Sequence, residues 1–301
     1  MRVSPALVFS GLLWGSGGLL GSLLGRTAGL SPLAVASYRL IVGGALIVAV
    51  LVLARRRFPR GRAAWRRILI VGLLTASYQG CYFAAVSMTS VSLATLITIG
   101  AAPLLVLAVE RARFDRRKVS TVVLGLAGLG LLVGSPAGGV TVAGAGLALV
   151  SAAGFAALSL LGRRPVPGLD DLTMTGLGFA IGGSLLAALA APAVGLGFAV
   201  HANTIGLLVA LGAAPTAIAY ALYFRGLRVS AASTGALMAL LEPLTGTILA
   251  VLLLGDRLSV AGIVGAVLLC GGVALAATTP RVSPNDYNTR SDVHSKTHEG
   301  A

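Results

Sequence analysis

Glu242 is a lone carboxylate in the apolar run ALMALLEPLTGTILAVLLL, and Arg39 is a lone guanidinium in the run LAVASYRLIVGGALIV. A charge at the centre of a membrane helix costs about 2.5–3.5 kcal/mol on insertion scales. Each group therefore needs a partner, a water-filled cavity or, for the carboxylate, a proton. Glu242 can carry a proton, recognise a cation, or tie its helix to a neighbour by hydrogen bonds. Arg39 can meet an anionic ligand group, pair with Glu242, or snorkel to an interface. Between 77 and 82 the sequence adds Ser77, Tyr78, Gln79 and Tyr82, with Tyr78 and Tyr82 one helical turn apart on a common face. Buried polar aromatics need hydrogen-bond partners, and Tyr78 and Gln79 point to a cavity. Thr95, Thr98, Thr234, Thr245 and Thr247 offer weaker polar contacts, because threonine often bonds its own helix backbone. Trp14 can wall an apolar or aromatic cavity or serve packing alone.

Other chemistries find little support. His201 stands alone, His294 and His298 lie in a polar tail, and the pair Asp170-Asp171 has no second acidic cluster with which to hold magnesium. That pair reads as a helix start or a solvated loop. Cys81 and Cys270 make no metal-ligand spacing and no structural disulfide is expected. No catalytic residue, metal or cofactor is expected, and without a Gly-rich phosphate loop any transport would be secondary rather than ATP-driven.

The elements that must position these residues follow from composition. Hydrophobic residues make up 56 % of the 301-residue chain and charged residues only 11 %, with a mean hydropathy of +0.94. Soluble domains carry about a quarter charged residues. Apolar runs long enough to cross the hydrocarbon recur throughout, since about 20 helical residues suffice at 1.5 Å each. The expected spans are 6–25, 32–54, 68–87, 91–110, 118–134, 141–162, 172–193, 203–223, 231–254 and 259–279. Abundant glycine and the lack of strict alternation make them helices packed through small residues, not barrel strands. Span 1, with Gly11, Gly15, Gly17, Gly21 and Gly25, is expected to be retained rather than cleaved as a signal. Pro103, Pro215 and Pro243 interrupt spans 4, 8 and 9, and each can act as a gate or a static bend.

On this division Glu242 lies about eleven residues, or roughly 16 Å, into span 9, and Arg39 about 10 Å into span 2 from the opposite side. Tyr220 and Tyr223 approach the end of span 8, where an interfacial aromatic belt is the ordinary role.

The net charge of +14 would suggest nucleic acid in a soluble protein, but its distribution reads as membrane topology. Twenty of the 23 Lys and Arg fall in the segments that face one side when both termini are cytoplasmic, with Arg26 and Arg257 opposite and Arg39 inside a span. No nucleic-acid partner is expected. The tail 281–301 is polar and aperiodic and reads as a disordered cytoplasmic segment.

A shift of 140 residues aligns Phe83 with Tyr223, Pro103 with Pro243, Arg117 with Arg257 and Gly125 with Gly265. The chain is thus two copies, 1–138 and 139–280. Five spans is an odd number, so the second copy enters the bilayer inverted. Loop charges agree: the seven arginines between spans 2 and 3 correspond to a loop with no Lys or Arg, whereas Arg225 and Arg228 correspond to a neutral loop in the first copy. The expected fold is an all-α polytopic membrane protein of ten transmembrane helices in two inverted five-helix repeats. Such repeats build alternating-access transporters, with the site near the midplane. Glu242 corresponds to Ala102 and Arg39 to Phe179, so that site would be chemically asymmetric.

The order of Trp14-Gly15, SYRL at Arg39, a YF segment followed by a span with Pro103, then YFRGL, Glu242-Pro243 and the turn LGDRLS resembles the drug/metabolite transporter superfamily, in particular its EamA-type ten-span exporters. The likeness runs nearly to the tail, with Asp256 where that family more often has Glu. It implies export of small metabolites, often amino acids, amines or related hydrophobic compounds, across a bacterial inner membrane. Trp14, Arg39, Tyr78, Gln79, Tyr82, Thr98, Tyr220 and Glu242 are the candidate substrate-binding residues. Pro103, Pro215 and Pro243 are the candidate gates, and protons the candidate coupling partner. A lipid scramblase or a membrane scaffold is the alternative reading, and the sequence carries no signal of oligomeric state.

Overall fold

Apolar runs leave the backbone no water to bond with, so each run satisfies its own amides as a helix. The computed structural model describes residues 3–110, 116–134, 141–255 and 257–277. It places ten helical spans in them: α1 (Pro5–Ala28), α2 (Pro32–Leu53), α3 (Arg62–Met88), α4 (Val91–Val109), α5 (Arg116–Val133), α6 (Val142–Gly162), α7 (Asp171–Val194), α8 (Ala202–Leu227), α9 (Ala232–Leu254) and α10 (Val260–Ala277). Eight are long and apolar enough to cross a membrane, and α5 and α10 contain shorter apolar stretches, Val119–Val133 and Val260–Ala276. No strand occurs among the described residues beyond an isolated bridge between Val166 and Leu169. The chain is a multi-pass membrane protein. The expected junction of the halves near 138, Asp256 and the tail from 281 lie outside the described residues.

Helix starts follow local chemistry. Ser31, Ser90, Thr141 and Asp170 cap α2, α4, α6 and α7, each accepting from the amide three residues on at 2.9–3.2 Å. Burial works against the charge of Asp170, but hydrogen bonds from the Thr173 hydroxyl and from backbone amides outweigh it and hold the carboxyl below the usual range. Two spans are not uniform. In α8 the segment Ala213–Ile218 around Pro215 is a π-helix. In α9 the helix Ala232–Met238 ends before Pro243, resumes at Leu241–Leu249 and finishes as π-helix at Ala250–Leu254. By contrast α4 stays helical across Pro103.

The packing has the symmetry that two inverted copies require. The helices α3 and α6 pack together, as do their equivalents α8 and α1; likewise α4–α6 and α9–α1, and α3–α7 and α8–α2. The pairs α2–α7 and α5–α10 map onto themselves. Gly72 of α3 lies against the backbone of Gly178 and Gly182 of α7, and Gly212 of α8, 140 residues later, lies against Gly43 of α2. A side chain at either glycine would force these backbones apart, which is the small-residue packing that lipid-embedded helices use. Outward faces are apolar, with Leu53, Val142, Leu252 and Val260 each more than 70 % exposed.

Inter-helix hydrogen bonds define one end of the bundle. Glu110 at the end of α4 accepts from Arg163 Nη1 at 2.9 Å and from the amides of Ala232 at 3.0 Å and Ser233 at 3.3 Å, joining α4, α6 and α9. Asp171 at the start of α7 pairs with Arg228 just beyond α8. Arg67 in the second turn of α3 donates to Leu161 O at 2.6 Å and Arg164 O at 3.3 Å. The Ser4 amide donates to Ser230 Oγ at 3.2 Å. Both ion pairs among the described residues sit at this end.

Candidate functional site

Gly11 and Gly15 of α1 bring that helix against the broken part of α9. A Cβ on Gly15 would lie 2.8 Å from Glu242 O, and one on Gly11 would lie 2.9 Å from Leu241 Cβ. Glu242, two residues past the turn at Ala239–Leu240, borders a central cavity of about 260 Å³. Seven helices line it: α1 with Trp14, Gly15 and Gly18; α2 with Arg39; α3 with Tyr78, Gln79, Tyr82 and Phe83; α4 from Val91 to Ile99; α6 with Ser151 and Phe155; α8 with Tyr220; and α9 with Ala239, Glu242, Pro243 and Gly246.

All eight expected binding residues therefore border one space. Of the expected gates only Pro243 does. Pro103 is buried within unbroken α4, and Pro215 packs toward Gly17 from the π segment.

One open alternative is not realised and one expectation is corrected. Arg39 and Glu242 line the same cavity, and no ion pair joins them. Arg39 Nε instead faces Thr216 Oγ1 at 3.4 Å, and that hydroxyl is committed to Leu211 O five residues back, at 2.9 Å, in the π segment. A π-bulge is a recurrent device at functional sites, and here it turns Thr216 toward the guanidinium. No described hydrogen bond reaches the Glu242 carboxylate.

Tyr220 and Tyr223 are not an interfacial belt: they are 3 % and 0 % exposed. The helix α8 runs to Leu227, one turn past the expected end, so both rings fall inside the bundle. The rings of Tyr220 and Tyr223 each lie 4.9 Å from Trp14, Phe155 stacks on Tyr223 at 5.8 Å, and Phe179 meets Tyr220 edge-on at 4.6 Å. This cluster closes the cavity toward the ion-paired end, with Leu7, Phe224, Leu227 and Met238 fully buried beyond it. Toward the other end the lining reaches Val91, which is 61 % exposed at the start of α4.

The wall is held by hydroxyls. Tyr78 and Tyr220 share a hydrogen bond between α3 and α8, and Gln79 Nε2 donates to Tyr78 Oη at 3.1 Å. Tyr82 bonds Thr95 Oγ1 at 2.8 Å, Thr98 donates to Ala148 O at 3.2 Å, Ser151 to Tyr78 O at 2.8 Å, and Ser159 and Tyr223 bond at 2.6 Å. Trp14 Nε1 is buried without a partner in the protein. The site thus offers one cation, one carboxylate, several hydroxyls and an aromatic floor, which suits a small polar molecule with an apolar part.

Ser151, Phe155 and Thr216 were not among the expected binding residues. Their repeat equivalents are Gly11, Gly15 and Ala76, so nothing in the duplication marks them. Among the described residues no group of three or more His, Cys, Asp or Glu could hold a metal.

Known proteins place this geometry. The chain is similar to the uncharacterized transporter YwfM of Bacillus subtilis (strain 168), with 28 % identity over 280 residues covering 91 % of this chain and 93 % of that one. A crystal structure 22 % identical in sequence shares the fold, with a TM-score of 0.76 over 92 % of this chain and 98 % of its own. The EamA-like transporter family model matches twice, over residues 3–134 and 142–278, once for each half. The chain belongs to the EamA-like transporter family.

Proposed function

We propose that the chain is a secondary transporter that exports small metabolites, such as amino acids, amines or related hydrophobic compounds, by alternating access. The observation that supports this best is the cavity itself. Its lining reaches the start of α4 at one end, aromatics and then ion pairs lie toward the other, and it holds Arg39 and Glu242 unpaired with each other. Each charge remains available to a ligand or a proton. The two halves, 1–138 and 139–280, supply two near-equivalent packings, one open to each side. In this reading both termini are cytoplasmic in the inner membrane, and protons entering by way of Glu242 drive export.

The test has two stages. Extracellular metabolites of overexpressing and deleted cells are compared to find the compound, and that compound is then followed by counterflow in proteoliposomes of the purified protein. Saturable exchange, reduced by Arg39→Ala, is the expected result. Rapid lipid redistribution with no solute exchange would instead make the protein a scramblase.

A further inference from the structure

The segment between α2 and α3 carries Arg55, Arg56, Arg57, Arg60 and Arg62, and α3 adds Arg66 and Arg67 in its first turns. No acidic residue precedes Glu110 in the chain, and Glu110 is engaged by Arg163 and α9. Among the described residues no ion pair involves any of these seven arginines. The Trp65 indole donates to Pro59 O at 2.9 Å, which folds the segment back over the start of α3. The fold-back forms a groove of about 430 Å³ in which Arg60, Arg62 and Arg66 sit beside Trp65, with Leu69 and Leu73 continuing below. Those two leucines are 54 % and 59 % exposed on the lipid-facing side of α3.

A topology signal needs only positive charge near a span end. This groove has more: a cluster of unneutralised guanidiniums directly above an exposed apolar strip, with an indole at the boundary. Guanidiniums bind phosphate oxygens through paired N–H donors, and indoles settle at the level of lipid headgroups. The apolar strip leads down the helix where an acyl chain would run. A free anion would use the arginines and leave Leu69 and Leu73 uncovered.

We propose that this groove binds an anionic phospholipid, with its phosphodiester on Arg60, Arg62 and Arg66 and an acyl chain along Leu69 and Leu73. The site is separate from the central cavity and independent of what the cavity carries. The helix that carries it, α3, also supplies Tyr78, Gln79 and Tyr82 to the cavity.

The protein has two tryptophans, and Trp14 is 3 % exposed in the core, so Trp65 reports on lipid. The full chain is reconstituted in phosphatidylcholine vesicles containing a minority of phosphatidylglycerol, with acyl-chain bromines on one lipid or the other, and tryptophan quenching is measured. A Trp65→Phe variant gives the background. Phosphatidylglycerol should be enriched next to Trp65 by at least about fivefold over phosphatidylcholine. The enrichment should fall to near unity in Arg60→Gln/Arg62→Gln/Arg66→Gln, which keeps Arg55, Arg56, Arg57 and Arg67 for topology. Arg66→Gln alone should give an intermediate value, so the result does not hang on insertion of the triple variant. Equal quenching by both lipids in the wild type, or full enrichment in a correctly inserted triple variant, overturns the proposal. Displacement of the brominated lipid by inorganic phosphate would also overturn it, making the groove a free-anion site.

Discussion

Glu242 and Arg39 border the same cavity yet do different work, and exchange experiments separate them. Because no ion pair joins them and Arg39 bonds Thr216 instead, Arg39→Glu combined with Glu242→Arg should not restore transport lost in the single variants. Recovery in the double variant would mean that the two pair in another state of the cycle. The carboxylate has its own test. Glu242→Gln keeps the shape of the side chain and cannot ionise, so it should insert and bind substrate but lose acceleration by an imposed pH gradient in proteoliposomes. Gradient-driven flux equal to wild type would leave Glu242 a structural residue. Both residues were legible because charge in an apolar run is conspicuous. Whether they pair was not, because helical periodicity gives depth along a span and says nothing of which spans adjoin. Phe155 was illegible for a related reason: an aromatic in an apolar helix looks the same whether it faces a cavity, a neighbour or lipid.

Helix by helix, the sequence and the structure agree on ten spans and differ at ends and breaks. The missed turn at the end of α8 is what moved Tyr220 and Tyr223 from an expected interface into the core. Prolines marked where helices could break without saying which would. At Pro215 the chain adopts π-helix and just before Pro243 a turn, whereas α4 stays continuous across Pro103. The capping of α9 by Glu110 was also hidden, since a carboxylate beside a basic loop reads as solvated. It carries a prediction. Glu110 bridges the first half to the second, and its equivalent in the inverted copy is Ala250, so only one end of the bundle is held this way. Charge-assisted hydrogen bonds are worth about 1.5–3 kcal/mol each. In a background with Cys81 and Cys270 replaced by alanine, Ala236→Cys, fully buried beneath this end, should react about tenfold faster with a water-soluble thiol reagent when Glu110→Gln is added. An exchange of charges, Glu110→Arg with Arg163→Glu, should not slow it again, because arginine cannot accept from the α9 amides. An unchanged rate in Glu110→Gln would show that the aromatic cluster alone keeps this end shut.

At the scale of the whole molecule, duplication was the most informative feature of the sequence, because a shift of 140 residues with an odd number of spans forces inversion before any contact is known. The contacts obey it: packing between the halves is preserved when the halves are exchanged, down to the glycine contacts of Gly72 and Gly212. The symmetry fails in the charges. Arg39, Glu110 and Glu242 have no charged equivalents, so the two halves match in backbone packing but not in charge. The end closed by Glu110, Asp171 and Arg67 is also the end that gathers the arginine-rich segments, and basic segments stay on the cytoplasmic side of a membrane. The described state is therefore expected to be shut toward the cytoplasm and open outward. Reporter fusions check the orientation: those placed after Arg62 and after Arg164 should read cytoplasmic, and one after Val142 should read external. A cytoplasmic reading after Val142 would break the alternation on which the inverted arrangement depends. An external reading after both Arg62 and Arg164 would instead turn the whole bundle over, and the cavity would then open to the cytoplasm.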